Sequence, residues 1–374
     1  MRPTPRQSRD DPFPFGPAIG RRPIRTPDDF MIRQIRSTSA LGAALLAPAL
    51  CVAVGASADE GSLIDPATAS KPEATRPGYE LVFSDEFEGE RLDPARWNGQ
   101  LRWDGDWNGE RFEYRRINGE HQFYVNPLSD DPEMLSDIVP VYDPFEFDGE
   151  RLAIRAVRNP LKDAPRGTNH GNLRTMANQQ HFLSGAMSTY DKFSQKYGYF
   201  EARIKIPAHD GTFPAFWLYH QRTRAQGTQR TEIDIMENLG HFPEYVYTTA
   251  HYNTGVAVGK SGTHKFLKPE PSGQIYTGTD YAQDFHTYAV EWEPGKVSWL
   301  IDGQVVSELY EPEMNHEELY LIINLAMGGN WTNFPTNAGG LGRPPGEQFP
   351  NANDMETFQD PALEIDWVRV YSRS

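Results

Sequence analysis

The sequence predicts an all-β fold, one large sandwich of antiparallel sheets covering about 295 residues. Three observations carry the prediction. From Tyr79 onward, nearly every patterned segment is a short run of β-branched and aromatic residues bounded by turn formers. Apolar residues at helical spacing are scarce, and no internal repeat is visible. Asp302-Gly303 lies between two such runs, and this residue pair suits a two-residue hairpin.

The strands can be taken in order. Tyr79-Glu-Leu-Val-Phe-Ser-Asp-Glu-Phe87 opens the folded unit. Tyr197–Pro207 alternates apolar and polar residues, and Phe213-Pro-Ala-Phe-Trp-Leu-Tyr-His220 follows it, with Phe213 and Phe216 assigned to the core. Tyr288–Trp292 leads through Glu293-Pro-Gly-Lys296 into Val297–Ile301, then through the hairpin into Gln304–Ser307. Leu363–Tyr371 is the last strand. Asn126–Phe147, Asn159–Gln180 and Thr332–Asp360 read as long loops, a length that in a compact domain points to function or mobility.

The N-terminal region divides into three parts. Residues 1–30 are rich in Pro, Arg and Asp without periodicity, as in disorder or a misassigned start codon. Residues 31–58 read as a secretory signal: Met31–Arg36 is its basic head, Ala40–Gly55 its apolar stretch, and Ala56-Ser-Ala58 its small-residue cleavage site. The apolar stretch is shorter than the roughly 20 residues of a membrane span. Residues 59–77 form a Pro/Ala/Ser/Glu linker, leaving 78–374 as the folded domain. Cys51 is the only cysteine and lies within the signal, so the exported chain can form no disulfide. The chain carries a net charge of −16, and beyond Ala58 there are 28 basic and 48 acidic residues. That field disfavours nucleic acid and anionic membranes as partners, and a monomer is expected.

Residues 231–238 read Thr-Glu-Ile-Asp-Ile-Met-Glu-Asn, three carboxylates within one β-type run. Alternation places Glu232 and Asp234 on one face of a strand and Glu237 on the other. One extra residue near Ile235–Met236, a β-bulge, would return Glu237 to the face of the other two. Like charges held that close raise one another's pKa, so one carboxyl can stay ionised while another keeps its proton. Cutting a glycosidic bond requires such a pair. Alone, the E-x-D-x-x-E pattern also suits a solvated strand.

The neighbouring motifs narrow the choice. Tyr197–Pro207, Phe213–His220, Ala250-His-Tyr-Asn253 and Asn324-Leu-Ala-Met-Gly-Gly-Asn-Trp331, together with the acidic run, resemble glycoside hydrolase family 16 from about Tyr79 to Ser374. The resemblance implies a jelly roll of two antiparallel sheets with a concave cleft, binding a β-linked polysaccharide. It also implies Glu232 as nucleophile, Asp234 as its assistant and Glu237 as acid/base. Such a retaining pair works across about 5–5.5 Å.

Subsite residues follow from the same resemblance and from the stacking of sugar rings on aromatic faces. Trp217 is placed beside the scissile bond, and Asn330 and Trp331 in a glucan-contacting segment. Asn118, Glu120 and Gln122 match an N-x-E-x-Q pattern of laminarinase-like members. Trp103 and Trp107 could stack on sugar or support their own loop. His251 is read as a supporting residue near the acid/base. No metal-ligand spacing appears for catalysis, and no catalytic cofactor is expected. A structural calcium on the convex face is implied at Glu86, the Gly149 carbonyl and Asp366, with plain surface acids as the alternative.

The N-x-E-x-Q and Gly-Gly-Asn-Trp segments lean toward β-1,3-glucan or mixed-linkage β-1,3-1,4-glucan. Thr231, where laminarinases usually have Gly, and Arg222, Arg224 and Arg230 in the preceding loop depart from that pattern. A hydrolase of galactan or bacterial exopolysaccharide is the runner-up. A non-catalytic carbohydrate-binding jelly roll and a transglycosylase are the remaining alternatives.

Overall fold

A computed structural model describes residues 71–101, 119–132, 134–162, 173–220, 231–253, 261–263, 274–311, 317–329, 331–332 and 358–374. The first strands are β1 (Tyr79–Asp85), β2 (Gln122–Tyr124), β3 (Phe145–Phe147), β4 (Leu152–Arg155), β5 (Val157–Arg158) and β6 (Phe182–Ser184). Next come β7 (Ala186–Ser188), β8 (Gly198–Lys205), β9 (Thr212–His220), β10 (Thr231–Glu237), β11 (Tyr245–Asn253) and β12 (Ser261–Thr263). The last are β13 (Gln274–Tyr276), β14 (His286–Glu293), β15 (Lys296–Ile301), β16 (Gln304–Tyr310), β17 (Leu319–Met327) and β18 (Ala362–Arg373). One short helix, α1 (Leu173–Asn178), and a wide helical turn at Met134–Ile138 lie in stretches that the sequence reads as loops.

Two antiparallel sheets form a jelly-roll sandwich. One runs β16-β15-β14-β8-β18-β4-β3, with β1 also paired to β18; the other runs β12-β11-β10-β9-β17-β7, with β13 on β11. Strands far apart in sequence thus lie side by side, as β9 and β17 do, with Trp217 opposite Ile322. The alternation in each strand decides what fills the space between the sheets. Phe216, Leu218, Ile233 and Ile323 from one sheet meet Phe200, Ile204, Val290 and Val368 from the other, all fully buried. At the β15–β16 hairpin, Asp302 and Gly303 both have positive φ (49° and 73°), the left-handed pair a two-residue turn of this type requires.

The compact unit begins at Lys71 rather than at residue 78. The Arg76 guanidinium lies 3.3 Å from the Tyr199 ring centroid, and Arg369 Nη2 donates to the Pro72 carbonyl at 2.9 Å. Cation–π and carbonyl contacts of this kind leave no apolar periodicity, which is why composition assigns Lys71–Pro77 to the linker.

Candidate active site

β10 carries the acids and breaks its own register to do so. Against β9, Asp234 pairs with Trp217 and Met236 with Phe216, so Ile235 is the extra residue. Against β11, Asp234 pairs with Thr249 and Glu237 with Tyr247, three steps on one strand for two on the other. Ile235 and Met236 both enter the inter-sheet core, 2% and 0% exposed. Glu232, Asp234 and Glu237 therefore share the opposite, outer face, as the sequence expectation requires.

A bulge leaves a main-chain group without its ladder partner. Here the other sheet supplies one: Trp299 Nε1 on β15 donates to the Asp234 carbonyl at 2.8 Å. The kink is thereby held from behind, across the core.

The three carboxyls line a cleft of about 230 Å³ with Trp217, Glu120 and Asn324. A larger hollow of about 600 Å³ lies along β3, β4 and β18 of the other sheet, away from these acids. In the cleft, burial first and the Glu232 and Glu120 charges next push Glu237 up to about 8. Asp234, 4% exposed, is raised well above the usual carboxylate range by burial, then by Glu237 and Glu232. At neutral pH, Glu237 holds a proton that it can donate. His251 Nε2 lies 3.4 Å from Asp234 Oδ2 and 3.9 Å from Glu232 Oε1. Burial lowers the imidazole's pKa, so a neutral ring faces the two acids.

The remaining sequence-nominated residues divide by position. Trp217 lines the cleft, and its Nε1 donates to Asn324 Oδ1 at 2.9 Å. Trp331 packs edge-on against Phe213 (4.7 Å between centroids) and at a steep angle against Tyr247 (4.9 Å). Gly328 and Gly329, with φ of 72° and 98°, make the turn just before this Trp. Glu120 lines the cleft, while Gln122 supports it: Gln122 Nε2 donates to Glu120 Oε2 at 2.7 Å, and Gln122 Oε1 accepts from the Met327 amide at 2.8 Å. Trp103, Trp107, Asn118 and Asn330 lie outside the described residues, as do Arg222, Arg224 and Arg230.

The assignment of Phe213 to the core is corrected. Phe213 shares the outer face of β9 with Ala215 and Trp217 and lines the cleft; only Phe216 enters the inter-sheet core. Tyr124 and Asn324, joined by a 3.1 Å hydrogen bond from Asn324 Nδ2 to the Tyr124 hydroxyl, are cleft residues that sequence reasoning missed. Tyr124 stands two residues beyond Gln122, on the same strand face, and that spacing was the available signal.

The residues expected to hold calcium do not fit that role. The Glu86 carboxylate is held by Arg369, through Nε at 2.8 Å and Nη2 at 2.9 Å. The turn contributes the Glu150 carbonyl, one residue past Gly149, and this carbonyl accepts from the Lys71 ammonium. Asp366 is likewise ringed by cationic side chains, with Arg203 Nη1 at 2.5 Å.

Comparison with known proteins agrees with this geometry. The family model "Glycosyl hydrolases family 16" matches residues 161–339. Glucan endo-1,3-beta-glucosidase A1 of Niallia circulans is 30% identical over 325 residues, 83% of this chain and 39% of that protein. Endo-1,3-1,4-beta-glycanase ExsH of Rhizobium meliloti (strain 1021) is 30% identical over 251 residues, 66% of this chain and 46% of that protein. This chain thus spans less than half the length of either relative. The catalytic domain of an endo-1,3-beta-glucanase (laminarinase) from Thermotoga petrophila RKU-1 superposes with a TM-score of 0.53 at 27% identity. That match covers 79% of this chain and 98% of the other. With its acids gathered on one bulged strand of a jelly roll, the chain belongs to glycosyl hydrolase family 16.

Proposed function

We propose that the protein is an exported endo-acting β-glucanase that hydrolyses β-1,3-glucan or mixed-linkage β-1,3-1,4-glucan with retention of configuration. The observation that supports this reading most is the Ile235–Met236 bulge, which gives Glu232, Asp234 and Glu237 one shared cleft. The names of the two sequence relatives favour these linkages. Export rests on the signal-like stretch from Met31 to Ala58.

In the first step, the Glu232 carboxylate attacks the anomeric carbon while Glu237 protonates the departing glycosidic oxygen. A covalent glycosyl–Glu232 ester forms and the reducing-end fragment leaves. In the second step, the Glu237 carboxylate takes a proton from water, which attacks the anomeric carbon and releases Glu232. Asp234, between the two, shares a proton with its neighbours and limits the negative charge in the cleft as Glu237 ionises. Trp217 offers an aromatic wall to the sugar, and neutral His251 keeps Asp234 and Glu232 in place. No step requires a metal.

The test is reducing-end release from laminarin, lichenan, agarose and carrageenan, with sizing of the products. Oligosaccharides of mixed length from laminarin or lichenan are expected. Release confined to the galactans would move the reading to a galactanase, and binding without any release would refute it.

A further inference from the structure

The Lys71 ammonium sits in a cradle of main-chain carbonyls drawn from three separate segments. It donates to Glu86 O, just past β1, to Glu150 O in the β3–β4 turn at 2.5 Å, and to Asp366 O in β18 at 2.9 Å. The Asp366 carboxylate adds Oδ1 at 3.6 Å. The side chain is 20% exposed and Asp366 only 5%, so the contact is largely shielded from solvent.

Sheet topology explains why the cradle exists. One edge of β18 has two successive partners, β4 along Ala362–Ile365 and β1 along Val368–Arg373. Asp366 falls in the gap between them, and β18 also shifts register against β8 at this point, between Ile365 and Trp367. Its carbonyl is left without a ladder partner on that edge, and a buried acceptor must find a donor. A set of carbonyls with one carboxylate is the donor chemistry of a hard cation.

The surrounding charges show which cation suits. Arg203 Nη1 is 2.5 Å from Asp366 Oδ2, and Arg151 Nε is 4.0 Å from Oδ1. Glu86, whose carbonyl joins the cradle, turns its carboxylate to Arg369. A divalent ion would meet two guanidinium groups and a single, already paired carboxylate. A monovalent N–H donor satisfies the carbonyls at a smaller electrostatic cost.

We propose that Lys71 is a built-in cation: its ammonium fills a hard-cation seat on the outer face of the eight-stranded sheet and makes the fold independent of calcium. The same contacts tie the start of the compact unit to β1, β18 and the β3–β4 turn. This inference stands whatever the catalytic cleft cuts.

Thermal melts of the full chain test it. Wild-type Tm should be the same in calcium chloride and in chelator, with no calcium binding heat in titration calorimetry. K71M, which keeps the stem and loses the charge, should melt roughly 3–6 °C lower. K71A, which vacates the seat, should regain part of its loss in ammonium chloride but not in tetramethylammonium chloride at equal ionic strength, because the latter has no N–H to donate. A chelator-induced drop in wild-type Tm, a K71M that melts with the wild type, or a K71A indifferent to ammonium would each overturn the proposal.

Discussion

Glu237 is pushed to about 8 by three causes that act in the same direction: burial, the Glu232 charge and the Glu120 charge. A general acid must be protonated to work, so kcat/KM should fall as pH rises through about 8. Glu120 lies in the cleft but outside the acidic strand, which makes it a separable lever. E120Q removes one negative charge, so the alkaline limb of the pH profile should move to lower pH; an unmoved limb would detach Glu120 from the acid. E232Q and E237Q should each lower kcat by roughly 10³-fold or more while the melting transition persists, and near-normal turnover in either would cancel its role. At this scale the acids were legible in sequence because their chemistry depends on residue type and spacing within one strand. Asn324 and Tyr124 were not, because their hydrogen bond joins residues 200 positions apart.

At the scale of the strand, the E-x-D-x-x-E spacing already demanded an irregularity, since plain alternation puts Glu237 among the core residues. Local sequence could not say what holds the irregularity in place. The structure answers with Trp299, fully buried on β15, whose indole N–H reaches the Asp234 carbonyl. W299F keeps most of the volume and removes the donor, leaving a buried carbonyl unsatisfied. A loss of about 1–3 kcal/mol in the urea unfolding free energy is expected. Because the same bond fixes where Asp234 and Glu237 stand, kcat should fall as well. Wild-type values for both would mean that the kink is self-supporting. Phe213 teaches a related lesson. Phe213 and Phe216 are three residues apart and so face opposite ways on β9, whereas hydrophobicity alone assigns both to the core.

For the molecule as a whole, the alternating runs and the Asp302-Gly303 turn sufficed for an all-β sandwich, because each is a local signal. The strand order was not legible from them: β18 joins β8, β4 and β1, pairings set by closure of the sheets over a common core. The whole chain also integrates its titrating groups into one dependence of stability on pH. Asp234 and Glu237 have native pKa values above their ordinary 3.8 and 4.5, so the folded state binds more protons than the unfolded state across that interval. Their contribution is complete below the ordinary values; that of Glu237 is lost as pH rises through about 8, and that of Asp234 as pH rises through its own raised native value. Glu308 acts in the opposite sense. The hydrogen bond from Lys296 lowers its pKa, so its contribution is present above its ordinary 4.5 and lost as pH falls through its lowered native value. Thermal stability should therefore peak on the acidic side of neutrality and decline toward pH 8 and beyond, where the net charge of −16 adds self-repulsion. E237Q removes a cleft carboxyl whose native pKa is pushed up to about 8, so its Tm should fall less than the wild-type Tm between pH 5 and pH 9. Parallel Tm–pH curves for the two proteins would show that Glu237 titrates alike in the folded and unfolded chain, and its role as a protonated acid at neutral pH would go with them.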